Sequence, residues 1–266
     1  MLRNPFTKAI WDSRWALLGW TIGIVGVAAM YAGSWISIGQ NPNMIKAMQN
    51  YPSSLKAAFS IDDLTTPSGY LRGSVYGVLL EILVTIFAVV AGTRAIAGDE
   101  DAGTLDLVLA QPVSRTRLAL QRFAALTSAL IAISVLLWLV MVALSRPARL
   151  DGITPLEFAA MNAQLALFGV CMAAIAFAIG GATGRRTLTL GASAGLAVVG
   201  YLMSGLIPRI RGLGWVRDLT PFYWYLGGDP LDNGFQGWYA LLLLGASVAL
   251  VAAGLWLFNH RDVASR

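Results

Sequence analysis

Six stretches of the chain stay apolar for about twenty residues or more: Trp15–Ile38, Ser74–Thr93, Phe123–Leu144, Phe158–Ala182, Leu188–Ile207 and Trp238–Phe258. A bilayer core of roughly 30 Å is crossed by about 20 helical residues at 1.5 Å each, so every one of these runs can span it. Polar residues collect in the connections and in two short tails, and no polar stretch is long enough for a separate soluble domain. The pattern predicts an all-α polytopic membrane protein, with residues 1–266 forming a single transmembrane domain of six helices.

Composition agrees: 57% of the residues are hydrophobic and 12% charged, about half the charged share of a soluble domain. The first run follows Arg3, Lys8 and Arg14, as the h-region of a signal peptide would, but it is too long for one. It reads as a retained span. An even number of spans puts both termini on one side, together with the connections at 94–122 and 183–187. Eleven of the 19 Lys and Arg residues lie on that side and eight on the other. The bias places the termini in the cytoplasm. The net charge of +5 then belongs to juxtamembrane arginines, and no nucleic-acid partner is implied.

The ends of the first span carry their own signals. Asn4-Pro5 is a helix start, with a capping residue and then proline at the first helical position. Phe6, Ile10 and Trp11 against Lys8, Asp12 and Arg14 suit a short interfacial helix ahead of the span. The same residues also suit the end of one long tilted span. Within the spans, Gly19-x-x-x-Gly23 and Gly191-x-x-x-Gly195 permit close helix contact, and Asn162 and Gln164 are placed to hydrogen-bond across helices.

Candidate chemistry is sparse. One cysteine, Cys171, and one histidine, His260, rule out a zinc or haem set and an intrachain disulfide. A P-loop needs Gly-Lys followed by Ser or Thr, yet none of Lys8, Lys46 and Lys56 follows a glycine. Gly180-Gly-Ala-Thr-Gly-Arg-Arg-Thr187 has arginine where that motif needs lysine. If ATP drives this chain, a partner subunit must bind the ATP and Mg, so no catalytic residue, metal or cofactor is expected in the chain itself. Glu81, inside the second run, is costly in lipid and usually marks a wet or protein-lined position. It reads either as a residue of a substrate path or subunit interface, or as a carboxyl bonded to a neighbouring helix or reaching outward to Arg72.

The most distinctive stretch lies between the second and third runs. No lipid-buried segment carries Asp99, Glu100, Asp101 and Asp106 together, so this is a water-side connector. Thr104 can cap a short helix, Leu105–Ala110, with Leu105, Val108 and Leu109 on one apolar edge. Pro112 ends it, and Ser114 can cap the next helix, whose first turns carry Arg115, Arg117 and Arg122. From pattern alone this is either a solvated loop or a two-faced element that inserts into a groove on a partner.

The sequence Ile96-Ala-Gly-Asp-Glu-Asp-Ala-Gly-Thr-Leu-Asp-Leu-Val-Leu-Ala-Gln-Pro-Val-Ser-Arg115 resembles the signature of type-2 ATP-binding-cassette permeases. Thr220-Pro-Phe-Tyr-Trp-Tyr-Leu-Gly-Gly-Asp-Pro-Leu-Asp-Asn-Gly234 is similar to the segment before the last span in bacterial members. The resemblance implies a multi-pass protein of the bacterial plasma (inner) membrane that works as the permease subunit of a transporter, often an exporter. Residues 99–115, with Asp99, Glu100, Asp101, Gly103, Thr104, Leu105, Asp106, Val108, Leu109, Pro112, Ser114 and Arg115, would be the coupling element on a nucleotide-binding ATPase subunit. Gly184, Arg185 and Arg186 would form a smaller cytoplasmic contact. Residues 4–14 would be an elbow helix, and the segment between spans five and six would dip into the outer leaflet. A second permease copy, or a related one, would complete the pore. Two other readings remain: a secondary transporter using Glu81 as its proton site, and an ATPase-linked assembly or signalling module. The substrate does not follow from the resemblance.

Overall fold

A computed structural model describes residues 4–38, 41, 46, 50–52, 66–101, 114–210 and 212–261. Six helices are long and apolar enough to cross a membrane: Pro5–Ser37, Pro67–Gly98, Arg115–Ser145, Pro155–Thr183, Arg186–Gly205 and Gly237–His260. They coincide with the six predicted runs, and no strand occurs among the described residues. The protein is an all-α, multi-pass membrane protein.

Caps set where most spans begin. Asn4 accepts from the Phe6 amide, Thr66 from that of Gly69, Ser114 from that of Arg117 and Thr154 from that of Glu157. Three of these four caps precede a proline, which lacks the amide that a first helical turn leaves unsatisfied. Thr154 and Glu157 form a reciprocal capping box. The capping expected of Asn4-Pro5 and Ser114 is present.

Two expectations are corrected at this level. Residues 4–14 form no separate elbow, because Pro5–Gly33 is one unbroken helix. At 1.5 Å per residue, 29 residues reach about 43 Å, so the first turns pass beyond a core of roughly 30 Å without any break. The second span starts well before Ser74. Pro67–Tyr70 leads into ten residues of π-helix, Leu71–Leu80, and then into Glu81–Asp101. Arg72, which interrupts the apolar run in the sequence, is held there by an ion pair with Asp229 at 2.5 Å.

The fourth span is the hub. It packs against the second, third, fifth and sixth spans and the short helices after residue 220. In its most apolar stretch 72% of residues are buried, against 11% in the fifth span. Glycines set the closest approaches. A Cβ at Gly92 would lie 2.6 Å from the Ala173 carbonyl oxygen, and one at Gly169 would lie 2.8 Å from Val84. A Cβ at Gly181 would overlap the Gly254 carbonyl, so the fourth and sixth spans touch backbone to backbone. The Gly19/Gly23 and Gly191/Gly195 pairs do not serve this purpose, since an added Cβ at any of the four meets nothing within 4 Å. Their small surfaces face away from the other described residues.

Candidate functional site

The first region is the end of the bundle that carries the chain's N-terminus. The helix of the second span continues to Asp101, so the backbone of Asp99, Glu100 and Asp101 is its last turn rather than free loop. Gly103, Thr104, Leu105, Asp106, Val108, Leu109 and Pro112, and with them the expected helix Leu105–Ala110, lie outside the described residues. The chain resumes at Ser114, whose hydroxyl accepts from the Arg117 amide at 3.3 Å. Arg115 opens the third span, and Arg122 donates to the Ala95 carbonyl at 3.3 Å, tying the third span to the second. Asn259 of the sixth span donates to Thr116 at 2.9 Å.

The turn between spans four and five lies at the same end. Gly184 adopts φ 63°, ψ 1°, a left-handed helix end that glycine takes without a Cβ penalty. It is buried under the Arg261 guanidinium, which an added Cβ would overlap. Arg185 and Arg186 are exposed beside it.

The second region lies deep in the bundle and is polar. Glu81 is buried, fourteen residues after Pro67 in a span that runs on to Gly98. It therefore sits near the middle of the span and not close to its outer boundary. Arg72 points to Asp229 instead, so the outward Glu81–Arg72 alternative is overturned. Among the described residues no basic side chain pairs with Glu81.

Around it runs a network that locks the segment between spans five and six onto the core. Asn162 donates to the Tyr76 hydroxyl at 3.1 Å and to the Phe158 carbonyl at 2.8 Å. Tyr225 donates to the Tyr76 carbonyl at 3.3 Å and stacks on Phe168, with ring centroids 5.0 Å apart. Gln164 donates to the Trp224 carbonyl at 3.4 Å. The cross-helix bonds expected of Asn162 and Gln164 are formed. That segment is a series of short turns, Ile207–Arg209, Gly214–Leu219, Pro221–Leu226 and Pro230–Asn233, with Phe222 and Tyr225 buried. Asp229 opens the last of them at φ 50°, a backbone conformation that non-glycine residues seldom adopt.

The third region is a groove of about 460 Å³ between the second and fifth spans. Ile82, Ile86 and Val89 form one wall, Leu190, Ala194 and Val198 the other, and Tyr201 and Phe222 close one end. Among the described lining residues, Thr85 and Tyr201 are the ones with a polar side-chain group. Such a size and lining suit an apolar small molecule. Ile82 and Ile86 are exposed, so the groove opens on the outside of the bundle.

Residues 2–259 match a family described as "Multidrug efflux system permease Rv1217c, C-terminal domain". The chain belongs to this family. No curated protein matches it significantly.

The permease is thus a multi-pass membrane transporter protein with three distinct elements: a charged connector end, a buried carboxylate and an apolar groove. Pattern reading reached the first two and missed the groove. Ile82 and Ile86, or Ala194 and Val198, are spaced for one helix face in the sequence. Which two faces meet is not written in either run. Tyr76, Tyr225 and the Arg72–Asp229 pair were likewise invisible, since their partners are distant in the chain.

Proposed function

We propose that the permease is the membrane subunit of an ABC-type efflux system of the bacterial inner membrane, with its termini in the cytoplasm. In this reading the apolar groove receives the substrate, and a separate ATPase subunit supplies the work through the 99–115 connector. The observation that carries the reading is the family match over almost the whole chain, joined to a groove whose lining fits the apolar compounds a multidrug system handles.

Two physical features support the coupling role. Asp99, Glu100 and Asp101 stand on the last helical turn of the second span, where the helix dipole opposes negative charge by about 0.3–1 kcal/mol each. Arg115 and Arg117 stand on the first turns of the third span, where the dipole opposes positive charge. A connector unfavourable on both flanks is relieved by contact with charges of another subunit. Arg185 and Arg186, exposed at the same end, supply a second contact. The helices of spans two and three join the connector directly, so a push on it is transmitted to Glu81 and to one wall of the groove. ATP binding and hydrolysis on the partner can move the spans only if the partner holds the connector differently in its two states.

The matched family unit is a C-terminal domain, which by its printed description is part of a longer permease. The whole chain then serves as one transmembrane half that pairs with a second copy or a related permease. The open faces at Gly19, Gly23, Gly191 and Gly195 and the largely uncovered fifth span suit such pairing.

Purification in mild detergent tests the reading. A Walker-motif ATPase is expected to co-purify, and its hydrolysis is expected to rise with an apolar efflux substrate. Transport by the isolated permease without any nucleotide-hydrolysing subunit would overturn it. Filling the groove with Ala194→Trp is expected to reduce transport of bulky apolar substrates on the order of tenfold, the equivalent of about 1.4 kcal/mol of lost binding. Unchanged transport kinetics in that variant would move the substrate elsewhere.

A second reading has one observation in its favour, the buried Glu81 without a basic partner among the described residues. Such a group can carry a proton or face a cationic substrate. Glu81→Gln preserves volume and is expected to lower transport severalfold while insertion and assembly stay intact. A proton-driven carrier would lose all transport in this variant and would be indifferent to ATP. A fully active variant would remove Glu81 from the pathway.

A further inference from the structure

The segment between spans five and six lies against the π-helix Leu71–Leu80 of the second span and touches it at three points. Asp229 pairs with the Arg72 guanidinium. Tyr225 donates to the Tyr76 carbonyl at 3.3 Å. Leu226 lies beside Gly77, where an added Cβ would be 3.4 Å from its Cδ1. Arg72, Tyr76 and Gly77 therefore present one face to this strap.

That shared face is a property of the π winding. Its hydrogen bonds join residues five apart, so Gly77 stands one turn after Arg72. In an α-helix of 3.6 residues per turn, positions five apart point about 140° away from each other. The same residues wound as α-helix cannot hold Asp229 and Leu226 at once. Gly77 also permits the π turn to close, since a Cβ there would lie 2.6 Å from the Arg72 carbonyl oxygen. The closed arrangement carries two unfavourable features. Asp229 holds φ 50°, and Arg72 Nε is buried without a hydrogen-bond partner among the described residues, which leaves a donor unsatisfied. Local strain of this kind collects at elements that switch between two forms.

We propose that Leu71–Leu80 switches between π and α winding, and that the π form latches the strap at 221–233 onto the bundle. Rewinding one turn as α-helix moves the residues before it by one position, about 100° of rotation and 1.5 Å of rise. That shift carries Arg72 away from Asp229. The π segment ends at Glu81, whose amide bonds to the Val78 carbonyl, and the helix after it is packed on the fourth span. The change therefore stops at the buried carboxylate. Phe222 belongs to the same strap and closes one end of the groove between the second and fifth spans, so release of the strap opens that end. The latch stands on its own contacts; its bearing on transport rests on the groove receiving the substrate.

The test is hydrogen–deuterium exchange of the full chain in mild detergent, read by mass spectrometry over residues 71–80 and 221–233. Gly77→Ala crowds the π turn and favours α winding. It is expected to speed exchange of 221–233 about fivefold, the factor matching the roughly 1 kcal/mol by which alanine exceeds glycine in a helix. Residues 71–80 are expected to stay protected, because they remain helical; simple unfolding would expose both segments. Arg72→Gln removes the ion pair and is expected to speed exchange of the strap alone. Arg72→Asp combined with Asp229→Arg is expected to restore most of the protection. Parental exchange of 221–233 in Gly77→Ala, or loss of protection in 71–80 along with it, would overturn the switch. If Gly77→Ala does not fold, the Arg72 variants decide: release of the strap alone supports the latch, and parental exchange overturns it. These outcomes are the same whether or not Ala194→Trp alters transport, so failure of the groove reading and failure of the latch are told apart.

Discussion

Replacing Glu100 and Asp101 together with alanine is expected to leave a permease that inserts and folds normally but no longer links ATP hydrolysis to transport. The backbone of both residues belongs to the last turn of the second span's helix, and alanine keeps that turn helical. If they meet basic groups of an ATPase in a desolvated contact, truncating such a partner costs about 2–5 kcal/mol or more. Affinity for the ATPase would then fall by about a hundredfold or more, since each 1.4 kcal/mol is tenfold. Co-purification of the ATPase and substrate-stimulated hydrolysis in proteoliposomes measure this directly. Wild-type coupling in the double variant would leave the 99–115 segment as a plain solvated connector.

The second large effect concerns folding. Gly181→Leu is expected to produce little folded protein, because the new side chain starts where the Gly254 backbone already lies. Overpacking by side chains costs about 1–3 kcal/mol, and here the obstacle is backbone of another span, which yields less readily. Gly19→Leu provides the comparison. A Cβ added there meets nothing within 4 Å among the described residues, so the stability of a single copy is expected to stay close to that of the parent. Thermal unfolding and detergent-stable yield of the two variants distinguish the positions. A Gly181→Leu protein as stable as the parent would mean that the fourth and sixth spans can separate without loss.

The sequence by itself determined the number of spans, their approximate bounds and the capping that starts them. These depend on apolar run length and on local hydrogen bonding between near neighbours, both properties of a contiguous segment. It also isolated Glu81 and the acidic connector, because charge next to or inside an apolar run is visible without a fold.

Only the tertiary structure decided what those segments meet. Gly19-x-x-x-Gly23 and Gly92 look equally suited to helix contact on paper, but Gly92 is pressed against the fourth span and the pair is open. Arg72 lies nine positions before Glu81 and could have reached it, yet Asp229, a residue 157 positions away, pairs with it. The groove between the second and fifth spans exists only where separate helices come together. Rotation of a helix about its axis selects which face is buried, and that angle is set by side chains far away in the chain. Local pattern decides that a helix forms; packing between distant segments decides what it does.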